Sequence, residues 1–234
     1  MHAISAFLSW LFAVIFGPAK PLVDDYTKEP SEPRPDIKVV EPVIKKQPSA
    51  SPWYATVAME NLLTLIRSKE APAGYNQRFA EAKPKKVLAH MSFDEVRSYG
   101  RARVTVDKKA SSAIGGYQFI TKTLDSLKIS LGLTGREMFT ETFQDDLAIA
   151  LMIRRGLLKY LRDQITAVEF CNNLAKEWAS LPVVSPIQGA HRRVSSGQSY
   201  YAGDGLNAAH HKPAKVLEAV TAMKASMPDP LPIK

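Results

Sequence analysis

One carboxylate stands where acid chemistry is possible. Met59, Leu62, Leu63 and Ile66 recur at helical spacing, and Glu70 takes the next position on that face. Eleven residues at about 100° each return Glu70 to within roughly 20° of Met59. The stretch A-P-A-G follows at once, and Pro72 and Gly74 break the helix there. Burial penalises the charged form of a carboxylate and raises its pKa. A carboxyl raised in this way can hold its proton near neutral pH and serve as a general acid. The competing reading is a frayed helix end with Glu70 turned to water.

No other acid shares this placement. Asp94 and Glu95 fall in a first helical turn, where they favour the macrodipole, and Asp145 and Asp146 are read in the same way. Asp107 lies in R-A-R-V-T-V-D-K-K-A (Arg101 to Ala110), a brief alternation that predicts a short β arm, and it is the candidate second carboxylate. The single cysteine, Cys171, excludes an internal disulfide and sits between apolar neighbours. It has no His or Cys partners at metal-ligand spacing, so neither a metal nor a cofactor is expected.

The chain of 234 residues carries a formal net charge of +8 and is 45% hydrophobic, enough for the core of one domain with extensions. The charge suits a polyanionic neighbour, whether nucleic acid, an anionic membrane surface or cell wall. Lys83, Lys85 and Lys86 form the densest basic run without interleaved aromatics, so nucleic-acid binding is not expected. Residues 1–19 contain no Asp, Glu, Lys or Arg and read as an export signal or a marginal membrane anchor. Residues 20–52 turn to Pro, Lys, Glu and Asp, the composition of an extended tether. A domain is expected over 53–227, with a tail at 228–234.

Within that domain the elements are mainly helical. Helices are predicted over Thr56–Lys69, from a capping box at Ser92 and Glu95 toward Tyr99, and over Tyr117–Leu131 with Gly132 as its C-terminal cap. A long buried helix is expected from Phe143 to about Leu161. Another opens at the Thr166/Glu169 box, and a last one starts at Pro213. The stretch S-S-A-I-G-G-Y-Q-F (Ser111 to Phe119) places two glycines before the third of these, where backbone must turn or be closely approached.

Four stretches in consistent order resemble the phage lambda-type endolysins of the lysozyme-like superfamily. They are K-E-A-P-A-G-Y-N (Lys69 to Asn76), S-S-A-I-G-G-Y-Q-F, L-A-K-E-W-A-S-L-P (Leu174 to Pro182) and G-Q-S-Y-Y-A-G-D-G-L-N (Gly197 to Asn207). The second departs from the family pattern by an extra small residue and by Gly116 where an arginine is common.

The resemblance implies an α+β, mainly helical, two-lobed lysozyme-like domain that cleaves the β-1,4 bond between N-acetylmuramic acid and N-acetylglucosamine. It implies Glu70 as the lone general acid and base of a lytic transglycosylase. Tyr75, Asn76, Ser111, Ser112, Gly116, Tyr117, Gln118, Tyr200 and Tyr201 are the implied substrate contacts, with Ser111 and Ser112 reaching sugar or the Glu70 carboxyl. Trp178 is read as core. A hydrolytic muramidase using Asp107, and a non-catalytic wall-binding or virion structural module, remain the alternatives. The expected partners are peptidoglycan glycan strands and, through residues 1–19, the bacterial inner membrane. The protein is expected to be a monomer, exported and then membrane-tethered or periplasmic.

Overall fold

The computed structural model describes residues 52–81, 83–107 and 110–228. The hydrophobic segment 1–19, most of the tether and most of the tail lie outside the described residues. No helix among the described residues is long and apolar enough to cross a membrane.

Among the described residues the fold consists of seven α-helices, a short 3-10 turn at Leu88–His90 and one small hairpin. They run α1 (Val57–Glu70), α2 (Phe93–Val106), α3 (Thr121–Ser130), α4 (Glu141–Arg154), α5 (Leu157–Leu161), α6 (Ala167–Leu174), β1 (Ile187–Gln188), β2 (Arg193–Val194) and α7 (Pro213–Ala225). The strands pair antiparallel, Ile187 opposite Val194 and Gln188 opposite Arg193. Helix α1 packs on α7, α7 on α6, and α2 on α3.

Local chemistry explains most boundaries. The Thr56 hydroxyl accepts from the Met59 amide to open α1, and Met59, Leu62, Leu63 and Ile66 are buried as the stripe predicts. Both capping boxes form, at Ser92/Glu95 and at Thr166/Glu169. Gly132 takes a φ of +59° just past α3, and Pro213 occupies the first turn of α7.

Three expectations are corrected. The β arm over Arg101–Ala110 is instead the second half of α2, which runs to Val106 with Asp107 as its C-cap. A capped start carries the helix through the β-branched Val104, Thr105 and Val106, because adding a turn is easier than nucleating one. The absent Cβ of Gly100 also lets α2 approach the 111–119 stretch, since a methyl there would stand 2.8 Å from the Ser112 carbonyl oxygen. Among the described residues the one strand pair lies elsewhere, at 187–194.

The long helix from Phe143 divides in two, because Gly156 takes a φ of +102° between α4 and α5. Asp145 and Asp146 are not first-turn residues either. The Thr140 hydroxyl caps α4 by accepting from Phe143 N, which places both acids in the second turn, facing inward.

That inward position has a measurable cost. Tyr54 Oη donates to Asp146 Oδ1 at 3.1 Å, and burial pushes the Asp146 carboxyl up to about 6. The folded state therefore holds a proton that the unfolded chain releases near its ordinary carboxylate pKa. Stability is present in full below that lower value and declines as pH rises through the folded one, by about 1–3 kcal/mol between about pH 4 and 6. Asp146→Asn is expected to flatten this decline, read from urea midpoints at both ends of the window. Equal losses in variant and parent would remove Asp146 as the cause.

Candidate active site

Glu70 is the last residue of α1, and the Ala71 amide closes the helix by donating to Arg67 O at 2.8 Å. A carboxylate in the last turn opposes the helix macrodipole, so helix stability does not explain its presence. Its side chain is partly buried. Its oxygen Oε1 accepts from the Ser180 backbone N–H at 3.1 Å. Burial pushes the carboxyl up from its ordinary value, opposed by the bonds to Ser180 and by the nearby charge of His210. His210 is held there in turn, since its amide donates to Ser180 O at 2.8 Å. The result is an acid whose proton is retained to higher pH and whose orientation is fixed by one amide.

Three segments converge on Asp145, which reaches α1 through Arg67, one helical turn from Glu70. After α1 the chain turns at Gly74, whose φ is +87°. Tyr75 then donates to both Asp145 oxygens, at 2.8 and 3.0 Å, and its ring lies 4.6 Å from the Arg67 guanidinium carbon. Arg67, one turn before Glu70, donates to Asp145 at 3.1 Å and to Tyr117 Oη at 2.8 Å. Tyr117 Oη donates to Asp145 as well. Burial pushes Asp145 up, against the pull of these donors and of Arg67. All of its hydrogen bonds serve to hold α1, the 74–77 turn and the 111–119 stretch together.

The glycine-rich stretch is a tight loop closed by Ile114 and Phe119, whose amides and carbonyls exchange hydrogen bonds of 3.1 and 2.9 Å. Gly115 sits at φ +81° and donates to Gln77 O at 2.7 Å. Gly116 donates to Gln144 Oε1 at 2.8 Å and lies against Tyr75 and Arg67, where a methyl would come within 2.9 Å of the Tyr75 ring. The close approach that the two glycines signal is thus protein on protein.

The other candidate residues have definite places. Tyr117 is 1% exposed, its ring packed 6.4 Å from that of Trp178, which is 2% exposed and part of the core. Gln118 donates to Gly115 O at 2.9 Å and lines a polar cavity with Tyr201. Ser111 and Ser112 accept from the Ala113 and Thr121 amides, and the hydrogen bond to Glu70 comes from Ser180 instead. Asn76 Oδ1 accepts from Leu88 N. Tyr201 donates to Lys176 O at 2.6 Å and meets Tyr200 edge-on. Asp107 is exposed at the end of α2.

Ser180 and His210 at Glu70, and Arg67 at Asp145, were not named from the sequence, and Asp145 was read there only as a first-turn acid. Ser180 lies within the quoted W-A-S-L-P stretch, and Arg67 precedes Glu70 by one helical turn, so two of the four carried a signal.

A family model described as Endolysin matches residues 56–207, from the N-cap of α1 to the loop before α7. No curated protein and no solved structure matches the chain.

Proposed function

The chain belongs to the endolysin family, the phage enzymes that degrade bacterial cell wall, and from that premise we propose that Glu70 cleaves the peptidoglycan glycan strand as a lone general acid and base. The reaction is the β-1,4 cleavage of a lytic transglycosylase. Glu70 gives its proton to the leaving glycosidic oxygen. It then takes the proton of the muramoyl 6-hydroxyl as that oxygen closes a 1,6-anhydro ring on the anomeric carbon. One carboxyl thus serves both halves of the reaction, and no water is consumed.

The observation that carries this reading is the pairing of a raised, amide-held Glu70 with an Asp145 whose oxygens are already taken. A hydrolase requires a second carboxyl free to attack carbon or to activate water. Asp145, the acid tied to Arg67 and Tyr75 on either side of Glu70, is committed to two tyrosine hydroxyls and a guanidinium. The net charge of +8 favours approach to anionic cell wall. The uncharged stretch 1–19 and the Pro-rich segment after it support export and tethering at the inner membrane.

Digestion of purified peptidoglycan tests the proposal through the masses of the fragment ends. Anhydromuramic ends, one water lighter than reducing ends, are expected. Reducing ends would replace the lyase with a muramidase, and intact peptidoglycan would leave only the binding-module reading.

A further inference from the structure

A cavity of about 440 Å³ lies between the start of α1 and α4. The buried Met59, Leu63 and Ile149 line it together with Val57, which is 80% exposed. Three carboxylates, Glu60, Asp145 and Asp146, share the lining, and among the described residues no cation does. Arg67 reaches Glu60 at 2.7 Å and Asp145 at 3.1 Å, and Asp146 has the Tyr54 hydroxyl at 3.1 Å. One guanidinium against three acids leaves the cavity acidic in a chain whose formal net charge is +8. Apolar walls with an acidic excess fit a ligand that carries a cation beside an aliphatic body.

The chain itself supplies such a group. Pro52, the first described residue, lines the cavity, so the tether joins the domain there. Within residues 20–51, Leu22 and Val23 precede Asp24 and Asp25, and Val39 and Val40 precede Glu41. Val43 and Ile44 are followed instead by Lys45 and Lys46. Between Lys46 and Pro52 stands Q-P-S-A-S, whose Pro and Ser residues favour a turn. Five residues reach up to about 17 Å when extended, and a loop this short costs little entropy to close.

We propose that the Val43–Lys46 segment of the tether docks in this cavity, with its two apolar side chains against Met59, Leu63 and Ile149 and its lysines toward Glu60, Asp145 and Asp146. The domain is then gripped across α1 and α4 as well as at Pro52, and residues 20–42 remain as the spacer to 1–19. Covalent attachment keeps the local concentration of the segment at about the mM level, so modest contacts suffice to hold it. The docking is independent of the chemistry proposed for Glu70.

Trypsin cleavage of the full chain, timed by mass at the bonds after Lys45 and Lys46, tests the docking, because proteolysis follows the population of the open form. Both bonds are expected to be cut about tenfold more slowly than in a free synthetic peptide of residues 30–51. The bond after Lys38, outside the docked segment, is expected to be cut at similar rates in the two. Glu60→Gln/Asp146→Asn leaves the tether sequence untouched and is expected to restore the free-peptide rate. Val43→Ser/Ile44→Ser is expected to do the same, and it lies in the tether, so it decides the matter should the first variant fold poorly. Parent bonds cut as fast as in the peptide, or protection that persists in both variants, overturn the inference. Protection that grows with protein concentration would place a second copy's tether in the cavity and overturns it as well.

Discussion

Glu70→Gln is expected to lower turnover of purified peptidoglycan by roughly 10²–10⁴-fold, the usual contribution of a positioned acid and base. The amide oxygen of Gln can still accept from Ser180 N, so the hydrogen bond at 3.1 Å and the fold around it should survive. What disappears is the proton for the leaving oxygen and the base for the 6-hydroxyl. Pelleting with insoluble cell wall should therefore be unchanged while soluble fragments vanish. Wall binding lost together with cleavage would point to a collapsed site, and cleavage retained within a few-fold would remove Glu70 from the mechanism. Asp107→Asn, at the exposed end of α2, is expected to leave the rate unchanged.

Gly115→Ala should produce the largest change in stability. At φ +81° an L-residue is strained by about 1–2 kcal/mol. The new methyl would also stand 2.5 Å from Gln144 Oε1 and 3.1 Å from the Phe139 ring. Gln144 is fully buried, donates to Phe139 O and accepts from Gly116 N, so moving it strands a buried polar group at about 1–3 kcal/mol. Together these come to about 3 kcal/mol, or a melting temperature lower by about 6–12 °C for a domain of this size. Gly132→Ala is the control. It meets nothing within 4 Å at φ +59°, so it should show the backbone strain alone. Equal shifts for the two variants would contradict the packing role assigned to Gly115.

The comparison of these glycines shows what a sequence discloses. G-G before a helix signals close approach, and close approach is present, but the approaching groups are Tyr75, Arg67, Gln144 and Phe139. Spacing reveals that a Cβ is excluded and does not reveal what excludes it. Helix starts were legible because their determinants are local, as at Ser92/Glu95 and Thr166/Glu169. The buried face of α1 was legible because a stripe of four apolar residues leaves one orientation for the helix. Glu70 follows from the same stripe.

The remainder depends on long-range contacts. Asp145 meets Tyr75 and Arg67, which are far away along the chain, and moving the α4 cap to Thr140 changed its face from solvent to core. The amide that orients Glu70 comes from Ser180, a backbone donor that any residue except proline could provide, so no residue type marks it. Val104, Thr105 and Val106 favour strand locally, yet they lie at the end of a capped helix. These misses have two origins, long-range contacts at Asp145 and Ser180 and, at Val104 to Val106, a capped helix that continues through residues favouring strand.

With Glu70 acting alone, the substrate's own hydroxyl, and not water, takes the severed bond. Cleavage in heavy-oxygen water tests this most directly, with muramoyl ends weighed before they can exchange. Anhydro ends that contain no heavy oxygen, and that disappear in Glu70→Gln, are the expected result. Reducing ends that have gained one heavy oxygen would contradict it and would show that a second group activates water.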